Sequence, residues 1–369
     1  MSSITTPAPA AFVGGANPGL LRSWNFDTTF VIGTLAIGLT AAAIVTLRPA
    51  LWIPILLADL WLLGYHHVVS TYTRLFLDGQ TRAEHRAMLT WVPVVVVIAV
   101  VAVGAGLGFW ALTTTYLYWQ WWHYSRQSWG VSRIYSVASE GRVPNHRTSQ
   151  ALFLAVPVWG ILWRSAQGSE TFLGADLWTV PVPWSVVHIA GLIALGAVLW
   201  QVAAWAWSAR RGALPTMHVL YTVSHLVIFT AAYVLIPDIN YGWLAINIWH
   251  NAQYIAFVWY FNNKRHGGDK HASGTATELD GSPPRPRLIE RLSQRSNLAT
   301  YLGGCVLAST VLYVTLGATI VTIVPAIVVY QAINFHHYVV DSAIWKVRSE
   351  SNRRTIGFVP SLPTIGHHD

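Results

Sequence analysis

Ten apolar stretches of about 20 residues each recur between residues 28 and 346 of this 369-residue chain. A helix of that length crosses the hydrocarbon core of a bilayer. Backbone groups in lipid must be hydrogen-bonded within their own segment, and these stretches are too long for tilted barrel strands, so all ten are predicted to be helices. The sequence predicts an all-α polytopic membrane bundle. The predicted spans are 28–47, 51–76, 89–108, 110–134, 149–166, 184–207, 216–236, 241–262, 298–320 and 325–346.

The composition agrees with a membrane protein. Hydrophobic residues make up 53% of the chain and charged residues 10%, whereas soluble domains carry about 25% charged residues. The single cysteine, Cys305, cannot form an internal disulfide. A secreted, disulfide-framed domain is therefore excluded.

The basic residues predict the orientation of the bundle. Of the 23 Lys and Arg, only Arg48 and Arg164 lie in loops that follow odd-numbered spans. Lys and Arg in short loops stay on the cytoplasmic side, so both termini are predicted to be cytoplasmic, with the chain in the inner (plasma) membrane. This topology and anionic lipid headgroups account for the net charge of +8, so no nucleic-acid partner is expected.

The chain is predicted to have four parts. Residues 1–262 hold spans 1 to 8, and residues 298–348 hold spans 9 and 10. Between them, residues 263–297 are rich in Gly, Ser, Pro and charge and are predicted to form a flexible cytoplasmic loop. Residues 349–369 are predicted to form a cytoplasmic tail.

Histidines inside the predicted spans are the main functional signal. An ionisable residue in a membrane costs several kcal/mol and needs a partner or a function. At 1.5 Å per residue from the nearest inner basic residue, these histidines share one slab about 10 to 20 Å below the cytoplasmic boundary. The predicted metal ligands are His66, His67, His123, His218, His225, His250, His336 and His337.

Carboxylate and amide side chains share helical faces with these histidines. One face of span 10 carries an amide, an imidazole and a carboxylate: Asn334, His337 and Asp341. One face of span 8 carries an amide, an imidazole and a phenol: Asn247, His250 and Tyr254. Asp59 shares a face with His66. Two buried carboxylates are thus placed to orient imidazole rings.

Imidazoles from several helices, with carboxylates to hold their N–H groups, indicate a metal site. Ligation without thiolates suits iron, copper or zinc, and iron is favoured because an open ferrous centre activates O2 against apolar substrates. The single layer of histidines favours a non-haem centre, mononuclear or dinuclear, over haems stacked across the membrane.

Four short motifs occur in order along the chain: GYHHVVST with His66 or His67, WWHYSRQSWG with His123, His250 with Tyr254, and HHYVVDSAIWK with His336 and Asp341. This arrangement resembles the Brp/Blh family of membrane β-carotene dioxygenases, in which separate apolar helices supply histidines to one iron. The resemblance implies cleavage of a polyene double bond by O2 without a separate reductase.

The leading hypothesis is a membrane non-haem iron oxygenase that acts on a long apolar substrate, carotenoid-like or lipid-like, taken from the bilayer. The expected iron ligands are His66 or His67, His123, His250, and His336 or His337. Asp341 and Asp59 are expected to orient imidazoles, and Tyr254 is expected near the open coordination position. Asn247 and Asn334 are expected to support the site.

Two alternatives remain open at this level. One is a di-iron lipid hydroxylase or desaturase that also recruits His218 and His225 and depends on an external electron donor. The other is a non-catalytic membrane protein: a haem or quinone carrier, or a protein that translocates ions through the polar layer.

Overall fold

The structure, a computed structural model, describes residues 19–139, 143, 146–267, 287–346 and 349–356. Within these ranges the chain is almost entirely helical, which confirms the all-α part of the predicted fold class. The described strands form one short antiparallel pair, Thr171–Phe172 with Ala175–Asp176, in which Thr171 faces Asp176. The helices are α1 (Trp24–Leu47), α2 (Pro49–Leu77), α3 (Gly79–Glu84), α4 (Trp91–Gly106), α5 (Phe109–Ala138), α6 (His146–Gln167), α7 (Trp184–Arg210), α8 (Thr216–Leu235), α9 (Ile239–His266), α10 (Leu288–Leu292), α11 (Arg295–Thr322), α12 (Ala326–Ile344) and α13 (Glu350–Ile356).

Each of the ten predicted spans coincides with one long helix, but the helices differ in apolar character. Five of them, α1, α2, α7, α8 and α11, are long and apolar enough to cross a membrane. Helix α4 is apolar but has 16 residues. Helices α5, α9 and α12 carry histidines and amides, which lower their hydropathy. The five apolar helices are compatible with a membrane protein.

The two predicted cytoplasmic segments are described only in part. Residues 268–286 of the predicted loop and residues 357–369 of the predicted tail lie outside the described residues. On the near side of the loop, α9 continues to His266, past the predicted end at 262. Basic residues in its last turn, Lys264 and Arg265, are favourable at a helix C-terminus.

Helix α9 lies at the centre of the bundle. Most of its residues are buried, and it packs against α1, α2, α8 and α13. Its approach to α1 is close at Gly38, where an added Cβ would lie 2.5 Å from the carbonyl oxygen of Ala245. By contrast, α7 and α11 keep most of their apolar side chains on the outside of the bundle. The polar side chains of α2, α5 and α12 therefore meet those of α9 inside.

Candidate metal centre

Four histidine rings from four helices form a closed ring inside the bundle. The ring centroid of His67 on α2 lies 4.4 Å from that of His337 on α12 and 5.1 Å from that of His250 on α9. The ring of His123 on α5 lies 5.4 Å from His337 and 5.1 Å from His250. Imidazoles far apart in the sequence thus converge on one point.

Three of these histidines and one carboxylate could hold a metal ion. Ligand atoms of His67, His123, His337 and Asp341 all lie within 4.8 Å of one another, and all four residues are buried. The Oδ2 atom of Asp341 lies 3.5 Å from Nε2 of His337 and 3.7 Å from Nε2 of His123. His250 is not one of these four residues, although its ring completes the circle of imidazoles.

The converging atoms are unpaired, which is the strongest sign that they belong to a ligand site. The Nε2 atoms of all four histidines and Oδ2 of Asp341 are buried and accept or donate no hydrogen bond among the described residues. Leaving one buried polar atom unpaired costs roughly 1–3 kcal/mol. One ligand atom from each of His67, His123, His337 and Asp341 lies within 4.8 Å of the others. Such a group fits a cation, since imidazole nitrogens and a carboxylate oxygen are the donors that transition metals use.

The other oxygen of Asp341 is held by hydroxyl groups. Its Oδ1 accepts hydrogen bonds from the Tyr254 hydroxyl at 2.6 Å and from the Thr71 hydroxyl at 3.3 Å. Trp345 Nε1 donates in turn to the Tyr254 oxygen at 2.8 Å. These contacts fix the carboxylate so that Oδ2 faces the histidines. Tyr254 therefore acts on Asp341, whereas the sequence placed it at an open coordination position.

The hydroxyl of Thr71 also orients one of the imidazoles. Thr71 Oγ1 lies 3.0 Å from Nδ1 of His337. Since Thr71 donates to Asp341, its oxygen can accept the Nδ1–H of His337, which leaves Nε2 as the free lone-pair nitrogen of that ring. Second partners of this kind set the tautomer of metal-binding histidines.

Helix α2 reaches the site after a local break in its geometry. Residues Leu60–Gly64 form a π-helical turn directly before the histidine pair. Such turns insert an extra residue into an α-helix and are frequent at functional sites. After this turn, His67 rather than His66 contacts the other imidazoles.

The neighbouring histidines face elsewhere. Nδ1 of His66 lies 3.3 Å from the carbonyl oxygen of Leu62 within its own helix. Both ring nitrogens of His336 have partners outside the group: the Tyr72 hydroxyl at 2.6 Å and the Met88 carbonyl oxygen at 2.8 Å. In the last motif, the histidine four residues before Asp341, not the one five before it, faces the site.

His218 and His225 lie on α8 and pair with serines of α5. Nε2 of His218 is 3.2 Å from the Ser132 hydroxyl, and Nδ1 of His225 is 2.9 Å from the Ser128 hydroxyl. Ser128 follows His123 by five residues, which at about 100° per residue places it on a different side of α5. The structure therefore separates these two histidines from the ring of imidazoles.

Asp59 and Asn247 belong to an adjacent polar network. Asn247 donates to Asp59 Oδ2 at 2.7 Å and accepts from the Tyr124 hydroxyl at 2.6 Å. Gln120 also hydrogen-bonds the Tyr124 hydroxyl. The ring of Tyr124 lies 4.2 Å from that of His250. Asp59 thus reaches the histidines only through intermediate side chains.

Asn334 is half-buried one turn before His337, and no hydrogen bond joins it to the four ligand residues in the described chain.

Sequence reasoning missed Thr71, Trp345 and Tyr124. Helical spacing could have indicated the first two, because Thr71 follows His67 by four residues and Trp345 follows Asp341 by four. Hydroxyl and indole groups are common in membrane helices, and no pattern marks one of them as a partner of a carboxylate.

The Tyr254→Phe variant is expected to bind a metal ion about 10- to 100-fold more weakly, because it loses the hydroxyl that holds Asp341. Competition with a chelator, followed by metal analysis of the purified protein, measures this change. Tyr241→Phe, which alters a tyrosine at the start of the same helix, is the matched control. Equal affinity in Tyr254→Phe and wild type would show that the hydroxyl does not support the site.

No protein-family model, curated protein or solved structure matches this chain in comparisons of sequence and fold. Any function assigned to it depends on its own residues and their geometry.

Proposed function

We propose that this chain is an integral membrane non-haem iron oxygenase that uses O2 on a long apolar substrate. The observation that carries the proposal is the group formed by His67, His123, His337 and Asp341, whose ligand atoms lie within 4.8 Å of one another. The facing atoms of these residues have no hydrogen-bond partner in the described part of the chain. His250 is the additional imidazole beside them. Membership of the Brp/Blh family is part of the same proposal.

The donor set favours one bare ion over the alternatives. Histidines with a carboxylate are the ligands of non-haem ferrous oxygenases. A haem would need open space around a pair of facing imidazoles, whereas here the rings are 4.4 to 5.4 Å apart around one point. A di-iron centre would need bridging carboxylates, but the group holds one carboxylate and does not include His218 or His225 of α8.

A ferrous ion bound by these residues would supply the activation of O2. The chain's own contribution is to hold the ligands, exclude bulk water and keep protons in place. All four imidazoles are buried, which keeps them out of contact with bulk solvent. The Tyr254 hydroxyl, whose oxygen lies 2.6 Å from Asp341 Oδ1, donates its proton to that oxygen and leaves Oδ2 facing the histidines. Preorganised ligands of this kind need no rearrangement during reaction.

An apolar substrate from the bilayer agrees with the surroundings of the centre. The ring of Tyr338 stacks on that of His123 at 4.5 Å, and Trp119 stacks on Phe335 at 5.0 Å. Aromatic and apolar side chains of this kind are typical of sites that bind polyenes or acyl chains. Large hydrophobic side chains are exposed along α4, α7 and α11, where lipid would solvate them.

The membrane arrangement belongs to the proposal as well. All ten long helices are proposed to span the bilayer, with both termini in the cytoplasm of a cell whose inner membrane holds the chain. The near absence of basic residues from loops after odd-numbered spans supports this topology.

The test is an analysis of cells that express the full chain beside the His123→Ala variant. Wild-type cells are expected to convert a carotenoid or lipid into an oxygenated product that carries the label of ¹⁸O2, and the variant is expected to form none. His188→Ala is the control, because His188 is exposed on α7.

Two results would contradict the proposal. One is equal product in the His123→Ala cells. The other is purified wild-type protein that binds no iron when it is reconstituted anaerobically. A Soret band or ion flux in vesicles would instead support the non-catalytic alternatives.

A further inference from the structure

A second buried group with unpaired polar atoms, the side chain of Arg74, lies near the C-terminal end of α2. Arg74 is 2% exposed, and its guanidinium lies over the rings of Phe261 and Trp345, 4.2 Å from each. Its Nη2 donates to Asn352 Oδ1 at 2.5 Å. Its Nε and Nη1 are buried without a hydrogen-bond partner among the described residues. The two aromatic rings cover faces of the guanidinium, so the unpaired donors point along its edges.

A buried guanidinium with unpaired donors needs compensation. Arginine stays charged at all physiological pH values and carries five N–H donors in a planar fork. A buried charge is costly unless it is paired and hydrogen-bonded. Contact with aromatic rings offsets part of this cost but does not satisfy the N–H groups.

A second arginine adds to the positive charge at this place. Arg265 lies over the same ring, 6.0 Å from the centroid of Phe261, and its Nη1 is also buried without a partner in the described chain. Its Nη2 pairs with Asp78 Oδ2 at 3.0 Å. The oxygens of Asp78 are shared with Thr81, whose hydroxyl donates to Oδ2 at 2.8 Å, and with backbone N–H groups of α3. Arg265 Nη2 also donates to Gln80 Oε1 at 3.0 Å. Asp78 therefore pairs with Arg265, whereas Arg74 has no ion pair with a carboxylate among the described residues.

We propose that Arg74 and Arg265 form a binding site for an oxyanion, a carboxylate or phosphate group. Such groups accept from guanidinium edges with short, charge-assisted hydrogen bonds, which other ligands do not match. The anion could belong to a lipid headgroup or to a small free acid. The site is separate from the metal group, because Arg74 follows His67 by seven residues, or about 10 Å along α2. It does not depend on the proposed oxygenase function.

The oxyanion site touches the metal group through one side chain. Trp345 packs on Arg74 and also donates to the Tyr254 hydroxyl that holds Asp341. An anion bound at Arg74 would therefore contact the metal group indirectly, through Trp345 and then the Tyr254 hydroxyl that hydrogen-bonds Asp341.

The test measures binding of two probes to the purified full chain in neutral detergent by isothermal titration. The probes are inorganic phosphate and dodecyl phosphate, which share the oxyanion and differ in the alkyl chain. Wild type is expected to bind at least one of them at one site. Arg74→Gln and Arg265→Gln are each expected to weaken that binding about tenfold or more, since each loses charged hydrogen bonds. Arg86→Gln, which removes an exposed arginine nearby, is expected to leave it unchanged.

The outcomes decide both the existence and the source of the anion. Binding of dodecyl phosphate alone indicates a lipid headgroup, and equal binding of both probes indicates a free anion. The proposal is overturned if wild type binds neither probe, if both arginine variants bind as wild type does, or if Arg86→Gln loses as much affinity. Should Arg74→Gln not fold, Arg265→Gln carries the test. Metal content measured on the same samples keeps this result separate from the fate of the iron proposal.

Discussion

The His123→Ala variant is expected to lose its metal ion, with the affinity of the centre falling by more than about 100-fold. Loss of a residue that only supports a ligand costs about 10- to 100-fold, and loss of a ligand itself costs more. His123 brings α5 into the site, and its Nε2 is one of the atoms without another partner. Anaerobic titration with Fe²⁺ against a chelator measures the affinity of wild type and variant.

The His336→Ala variant is the matched control for that experiment. It removes a buried imidazole next to a ligand, but one whose two nitrogens are hydrogen-bonded to Tyr72 and to the Met88 carbonyl. It is expected to keep the metal affinity of wild type, although it loses stability. If both variants lost the ion equally, the loss would reflect general damage to the bundle. If neither lost it, the centre would lie elsewhere.

The long helices were predictable because the bilayer imposes a length on each apolar stretch. The ends were harder to place. Helix α9 runs to His266 because basic residues continue its last turn, although the apolar stretch ends at residue 262. The hydropathy of α5, α9 and α12 is reduced by the polar residues that build the centre. For this reason these three helices are not among those apolar enough to be identified as membrane spans by composition.

The position of a histidine along its helix could be counted from the sequence, but the neighbouring helix that it faces could not be predicted. His218 and His225 are predicted from residue counts to lie at the depth of the other histidines, yet they face serines of α5 on a different side from His123. A count of residues gives one coordinate of a side chain. The other coordinates depend on which helices become neighbours, and that is decided by packing over the whole bundle.

The doubled histidines illustrate the same limit. Residues adjacent on a helix point about 100° apart, so only one of His66 and His67 can face a common centre. In the structure it is His67 that does so, after the π-helical turn Leu60–Gly64, and no propensity marks the position of that turn. The partners of Asp341 were hidden for another reason: Thr71 and Tyr254 come from different helices, and only the folded bundle brings both hydroxyls to one oxygen.

Arg164 is predicted to be among the most important residues for stability. It is 1% exposed at the end of α6, where its Nη2 donates to the carbonyl oxygens of Ala232 at 2.6 Å and Ile236 at 2.5 Å. Its Nη1 donates to the carbonyl oxygen of Pro237 at 2.9 Å. These carbonyls lie at the C-terminus of α8, where no further helical turn offers donors. A cation at the C-terminus of a helix also interacts favourably with the negative end of the helix dipole.

The Arg164→Met variant is expected to lower the free energy of unfolding by roughly 3 kcal/mol, because one buried and two partly buried carbonyl groups lose a charged donor at once. Titration with SDS in mixed micelles measures the change. Arg48→Met is the control: Arg48 is the other arginine in the loops after odd-numbered spans, and it is exposed. Arg164→Lys keeps the charge but not the fork, so it should fall between wild type and Arg164→Met. Equal stability of Arg164→Met and Arg48→Met would contradict the prediction. It would mean that the hydrogen bonds from Arg164 to the three carbonyl groups do not stabilise the bundle.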